Sequence, residues 1–113
     1  SAGGVNAPRF GSLHEGTAPE QGAESFMELA RAGGARVERI ASRGVLNGDW
    51  YEQGWAEFVL LVAGSAALEF DDGTRRELKP GDWALLPAQC RHRVAWTDPA
   101  CETLWLAVHL PPG

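Results

Sequence analysis

Two residues of this 113-residue chain occupy positions where an ionisable side chain is costly, and both belong to types that bind ions and ligands. Glu57 opens the run EFVLLVA, an otherwise apolar strand in which a carboxylate is expensive to bury unless it is paired, hydrogen-bonded or bound to a cation. His92 lies between Arg91 and Arg93. Side chains alternate along a strand, so two outward arginines force the imidazole inward, together with Val94 and Trp96. An inward imidazole is a natural ligand for a transition metal. Without a ligand, the same residues would be a solvated carboxylate at a strand edge and a histidine satisfied by a backbone carbonyl.

Other residues could join them. Cys90 is two before His92 and shares its face if the strand is regular, although Cys is more often a small buried hydrophobe. His109 ends the last strand on one face with Trp105 and Ala107, which suits either the rim of a pocket or its interior. His14 has no partner that the sequence identifies. Five tryptophans are many for this length: core and subunit interface are their usual places, and an aromatic-lined pocket is the functional alternative. The chain has no Gly-rich phosphate loop, no G-x-S-x-G, no H-E-x-x-H and no C-x-x-C. The common nucleotide, hydrolase, metalloprotease and redox readings therefore lack support.

The elements that must position these residues are short strands. After Gly34, apolar runs alternate with turn signals about every ten residues, as in a sandwich or barrel. RVERIAS places Val37, Arg39 and Ala41 on one face and Glu38 and Ile40 on the other, and either face could be the apolar one. Asp71-Asp72-Gly73 signals a hairpin, and Lys79-Pro80-Gly81-Asp82 a tight turn. Residues 1–22, rich in Gly, Ala, Pro and Ser, read as an irregular arm that could drape over a barrel or a partner. AESFMELARAGG predicts a short helix over about 23–32, stopped by Gly33 and Gly34. The rest, to residue 113, reads as a single β domain whose barrel spans about 35–110.

Apolar residues at 44% and charged residues at 22% describe an ordinary globular chain of one domain. A net charge of −5 with no Lys/Arg cluster argues against nucleic acid or an anionic membrane as the main partner. With no bilayer-length apolar run and no signal peptide, a cytoplasmic location is expected, and Cys90 and Cys101 are expected to be free thiols.

Two spaced patterns give a sharper expectation. Gly48 to Gly64 (GDWYEQGWAEFVLLVAG) and Gly81 to His92 (GDWALLPAQCRH) resemble the two signature motifs of the cupin family. In the first, Glu57 and Gly64 keep the family's interval while both of its histidines are missing. Their places fall on Tyr51 and Gln53, or on Trp50 and Glu52 in the other permitted spacing, and strand parity with Glu57 favours the former pair. In the second, Gly81, Pro87 and His92 match, Gln89 stands where Gly is usual, and Trp96 where Asn is frequent. The resemblance covers about Val37 to His109 and is closest to the small single-domain bacterial cupins.

It implies an all-β double-stranded β-helix, or jelly roll, here with a short N-terminal helix and an arm. It also implies a divalent metal (Fe, Mn, Ni or Zn), weakly held by His92, Glu57 and Gln53. Tyr51, Trp96, Cys90 and His109 would line the substrate pocket. The implied function is a small-molecule-binding cupin. The alternatives are a mononuclear metal-dependent enzyme (a dioxygenase, lyase or isomerase) and a non-catalytic interaction module with a vestigial pocket. A homodimer is expected in each case.

Overall fold

The computed structural model describes residues 7–112 as two facing antiparallel sheets, and among these residues there is no helix. Eight strands run in chain order: β1 (Glu24–Ala32), β2 (Ala35–Ser42), β3 (Glu57–Ala63), β4 (Ala66–Phe70), β5 (Arg75–Leu78), β6 (Trp83–Leu86), β7 (His92–Thr97) and β8 (Thr103–His109). The larger sheet has the order β1-β2-β8-β3-β6, the smaller β5-β4-β7. The stretch between β2 and β3 lies along the free edge of β7, bridging Leu46 to Trp96 and Tyr51 to His92. Between the sheets, Val59, Leu61, Trp105 and Ala107 meet Ala66, Leu68 and Leu78 in one core.

The expected helix over 23–32 is instead strand β1, paired with β2 from Glu24↔Ser42 to Ala32↔Ala35. Gly33 and Gly34, read as a helix stop, form the two-residue turn of that hairpin. Both have positive φ (58° and 82°), the requirement of a turn whose twist matches the flanking strands. Eight paired positions and an inward face outweigh a spacing of Phe26, Met27, Leu29 and Ala30 that only resembled a helical one. The other two turn signals form as expected. Gly73 has a φ of 86° between β4 and β5, and Gly81 a φ of 94°, with the Asp82 amide donating to the Lys79 carbonyl at 2.9 Å.

The described part of the arm crosses the outside of the larger sheet. Arg39, 2% exposed, fastens it: its Nε donates to the Leu13 carbonyl at 2.6 Å and its Nη2 pairs with Glu102 at 3.2 Å. Gly16 packs so close that a Cβ there would sit 2.8 Å from the same guanidinium. The face of Val37, Arg39 and Ala41 is thus the outer one, buried by the arm, while Glu38 and Ile40 face the interior. Cys90 and Cys101 are free thiols.

One irregularity bears on the site. Leu68 pairs with Val94 and Ala67 with Trp96, leaving Ala95 as an extra residue in β7. A bulge of this kind reverses the alternation beyond it.

Candidate functional site

Parity sends Glu57 of β3, His92 of β7 and His109 of β8 into the space between the sheets, where a cavity of about 100 Å³ opens. Glu57 and His92 are each 7% exposed. Arg91 and Arg93 turn outward, their guanidiniums 4.7 and 4.5 Å from the Trp50 ring, which leaves the imidazole between them inward. Arg93 also pairs with Glu69 at 2.6 Å, and Arg91 with Asp71 at 3.3 Å. The Tyr51 and His92 backbones exchange both hydrogen bonds, at 2.8 and 2.9 Å, so Tyr51 and Gln53 face the cavity while Trp50 and Glu52 do not. Gln53 is pinned from the other side, its carbonyl accepting from the Gln89 amide at 2.7 Å. Gln89 has a φ of 64°, a left-handed conformation that costs a non-glycine residue about 1–2 kcal/mol. That conformation explains why glycine suits the position better.

Trp96 and Cys90 lie outside the cavity lining. The Ala95 bulge turns Trp96 to the opposite face, beside its bridge partner Leu46, while Ala95 and Thr97 take the buried positions. Cys90 precedes β7 and lines a groove of about 870 Å³ between β5 and β6, which contains no buried ionisable group. Its contribution to His92 is its carbonyl oxygen, 2.8 Å from Nδ1, and burial raises its thiol above the usual range. His14 is exposed in the arm.

Two carboxylates that the sequence reading did not select complete the wall: Glu24 of β1 and Glu38 of β2. Each ends a short chain of hydrogen bonds. The Trp105 indole donates to the Ser42 hydroxyl at 3.0 Å, and that hydroxyl donates to a Glu24 oxygen. The Trp55 indole N–H lies 2.9 Å from His109 Nδ1, and His109 Nε2 lies 3.0 Å from a Glu38 oxygen. An indole N–H can only donate, so Nδ1 of His109 accepts and the ring proton on Nε2 goes to Glu38. Neither nitrogen of His109 is left for another ligand. Burial raises the Glu24 carboxyl above its usual range, the Ser42 bond opposes this and Glu57 adds to it. Burial also raises the Tyr51 phenol, reinforced by Glu24, Asp49, Glu57 and Glu38. Glu24 escaped notice because its segment read as helical. Glu38 could have been found from the inward series Glu38, Ile40, Ser42.

The expected metal set was His92, Glu57 and Gln53. All three line the cavity, but the Gln53 amide nitrogen donates to a Glu57 oxygen at 2.7 Å and so turns its donor, not its oxygen, toward the carboxylate. Among the described residues no three His, Cys, Asp or Glu side chains converge as a metal shell. One free imidazole nitrogen and one partly engaged carboxylate are a poor match for a tightly held transition ion, which draws on three or four nitrogen, sulfur or oxygen donors.

Comparison with known proteins follows the same outline. The sequence profile described as the cupin domain matches residues 40–109. A Ralstonia eutropha JMP134 protein provisionally described as a mannose-6-phosphate isomerase is 41% identical, with a TM-score of 0.83 over 93% of this chain and 100% of that one. A cupin superfamily protein from Desulfitobacterium hafniense is 20% identical, with a TM-score of 0.70 over 85% of this chain and 84% of that one. A chain from crystal structures of two DMSP lyases is 24% identical, with a TM-score of 0.68 over 80% of this chain and 48% of that one. The last two likenesses concern the fold alone. No curated protein matches.

Proposed function

The chain belongs to the cupin domain family, and from that premise we propose that it is a small-molecule-binding cupin whose ligand sits among Glu57, His92, Gln53, Tyr51, Glu24 and Glu38. The observation that carries this reading is a set of oriented, unsatisfied acceptors. His92 Nδ1 is engaged by the Cys90 carbonyl, and no described group bonds Nε2. Glu57 keeps one oxygen free once Gln53 has taken the other. These acceptors open onto a cavity that a ligand can reach, whereas among the described residues the one buried side-chain polar atom without a partner is Arg36 Nε, outside the cavity lining.

The relative provisionally described as a sugar-phosphate isomerase does not lend this chain its substrate. A phosphate is bound through Arg, Lys or clustered backbone N–H groups, whereas the cavity wall has three carboxylates and neither Lys nor Arg. Metal-dependent lyase, isomerase or dioxygenase chemistry is the alternative that the family offers. Protein purified without added metal is expected to hold well under one equivalent of Fe, Mn, Ni and Zn together, and a fragment screen by NMR is expected to shift the Trp55 and Trp105 indole signals. Near-stoichiometric metal that disappears in both His92→Ala and Glu57→Ala would replace this reading with the metalloenzyme one. A screen that moves neither indole would remove the ligand site.

Cytoplasmic residence and a homodimer belong to the same proposal. Supporting the dimer, the outer face of the larger sheet exposes Trp83 (63%) and Leu85 (55%) next to Phe58, whose ring stacks on Trp83 at 5.5 Å. Apolar surface of that kind on a sheet commonly marks a contact. Sedimentation is expected to give a dimer that Trp83→Glu converts to monomer, and a monomeric parent protein would refute it.

A further inference from the structure

Taking the cavity as a ligand site, we infer that its ligand is a small organic cation, a protonated amine held by Glu24, Glu38 and Glu57. The first argument is charge. Three carboxylates share one wall, no Lys or Arg lies among the lining residues, and His109, the nearest basic group to Glu38, uses Nδ1 to accept from Trp55. A carboxylate removed from water without a counter-charge is costly. The rise of the Glu24 carboxyl, due to burial and to Glu57, is the same strain seen from the side of the protein.

The second argument is the direction of the hydrogen bonds. Ser42 holds one oxygen of Glu24, His109 one of Glu38 and Gln53 one of Glu57, and among the described residues the second oxygen of each has no partner. Gln53 donates through its nitrogen, so its oxygen is also an open acceptor. His92, 7% exposed and with its Nδ1 on a carbonyl, adds an unpartnered ring nitrogen. Against these acceptors the wall offers the Tyr51 hydroxyl as a donor. The complement is a group with several donors and positive charge. An ammonium carries three N–H bonds and requires only acceptors at hydrogen-bond distance, whereas a metal ion requires a converging shell, which is not formed here.

The third argument is size and lining. Ile40, Val59, Leu68, Leu86 and Val94 supply an apolar surface beside the acceptors, and about 100 Å³ admits a short alkyl chain. Its ammonium would then lie toward the carboxylates and its carbon atoms against Leu68 and Val94.

The test uses the full chain without added metal at neutral pH, titrated separately with propylammonium, 1,3-propanediammonium, 1-propanol and propionate while the indole signals of Trp55 and Trp105 are followed. Both ammonium ions are expected to shift these signals and to bind at least about tenfold more tightly than 1-propanol, as suits a charge-assisted hydrogen bond. Propionate is expected to leave the signals in place. Glu38→Gln and Glu24→Gln, which keep shape and remove charge, are each expected to weaken the ammonium ions about tenfold and to spare 1-propanol. Equal binding of alcohol and ammonium, binding of propionate, or unchanged ammonium affinity in both variants would overturn the cation and leave the ligand site standing. If Zn²⁺ alone binds stoichiometrically through His92 and displaces propylammonium, both readings fall together. The ligand series on the unsubstituted protein decides the matter even if a variant does not fold.

Discussion

Gly64→Ala is expected to destabilise the fold by about 2–6 kcal/mol, a large share of the roughly 5–15 kcal/mol that keeps a domain folded. Two separate costs contribute. Gly64 has a φ of 89°, and an alanine held in such a conformation is strained by about 1–3 kcal/mol. Its Cβ would also meet β8, lying 2.7 Å from Thr103 Cα and closer still to the Thr103 hydroxyl oxygen. Crowding against a backbone atom cannot be relieved by a rotamer change and adds about 1–3 kcal/mol. Thr103 cannot yield easily, because it is fully buried and its hydroxyl bonds both the amide and the carbonyl of Ser65. Gly73→Ala is the control: φ is 86° there, but nothing lies within 4 Å of the new methyl, so only the conformational cost remains. Urea unfolding of the two variants separates the terms, and equal losses would show that the Thr103 contact is unimportant.

Trp105→Ala is expected to cost about 3–5 kcal/mol and to disorganise one wall of the cavity. Trp105 is 3% exposed, belongs to the central core and also lines the cavity, so truncation removes packing that Val59, Leu61 and Ala107 cannot replace. Its indole is in addition the donor that orients Ser42, and through Ser42 the Glu24 carboxylate. Trp105→Phe keeps most of the apolar volume and deletes that donor, for an expected loss of about 0.5–1.5 kcal/mol. Unfolding should rank the variants parent, Phe, Ala. A Phe variant as damaged as the Ala one would mean that the hydrogen bond, rather than the packing, holds β8 to β2.

The local signals were legible where a few adjacent residues decide the outcome. Asp71 to Gly73 and Pro80-Gly81 turn as their backbone preferences require, and Arg91-His92-Arg93 orients its histidine through alternation alone. Partners distant in sequence were not legible. Glu24 and Ser42 face each other only because Gly33-Gly34 closes a hairpin, so reading that pair as a helix stop concealed both the strand and the carboxylate it carries. Glu38 was hidden by the ambiguity of β2: each face pairs a charged residue with apolar ones, Arg39 with Val37 and Ala41 against Glu38 with Ile40, and only the arm held on Arg39 marks which face is the outer one. Trp96 was misplaced by one residue of phase, because no local feature marks Ala95 as supernumerary.

That extra residue also lets β7 lose one residue of length without changing which side chains face the cavity. Because Ala95 is the residue without a partner, deleting it would restore strict alternation and leave Trp96 opposite Ala67 on the outer face and Thr97 opposite Ala66 on the inner one. A single-codon deletion at the bulge is therefore expected to leave the cavity lining as it is, whereas straightening the bulge at unchanged length would carry the Trp96 indole inward. Within this fold, loss of the extra residue at the β7 bulge is thus expected to be neutral toward the ligand, and specificity to be altered by substitution of the lining residues.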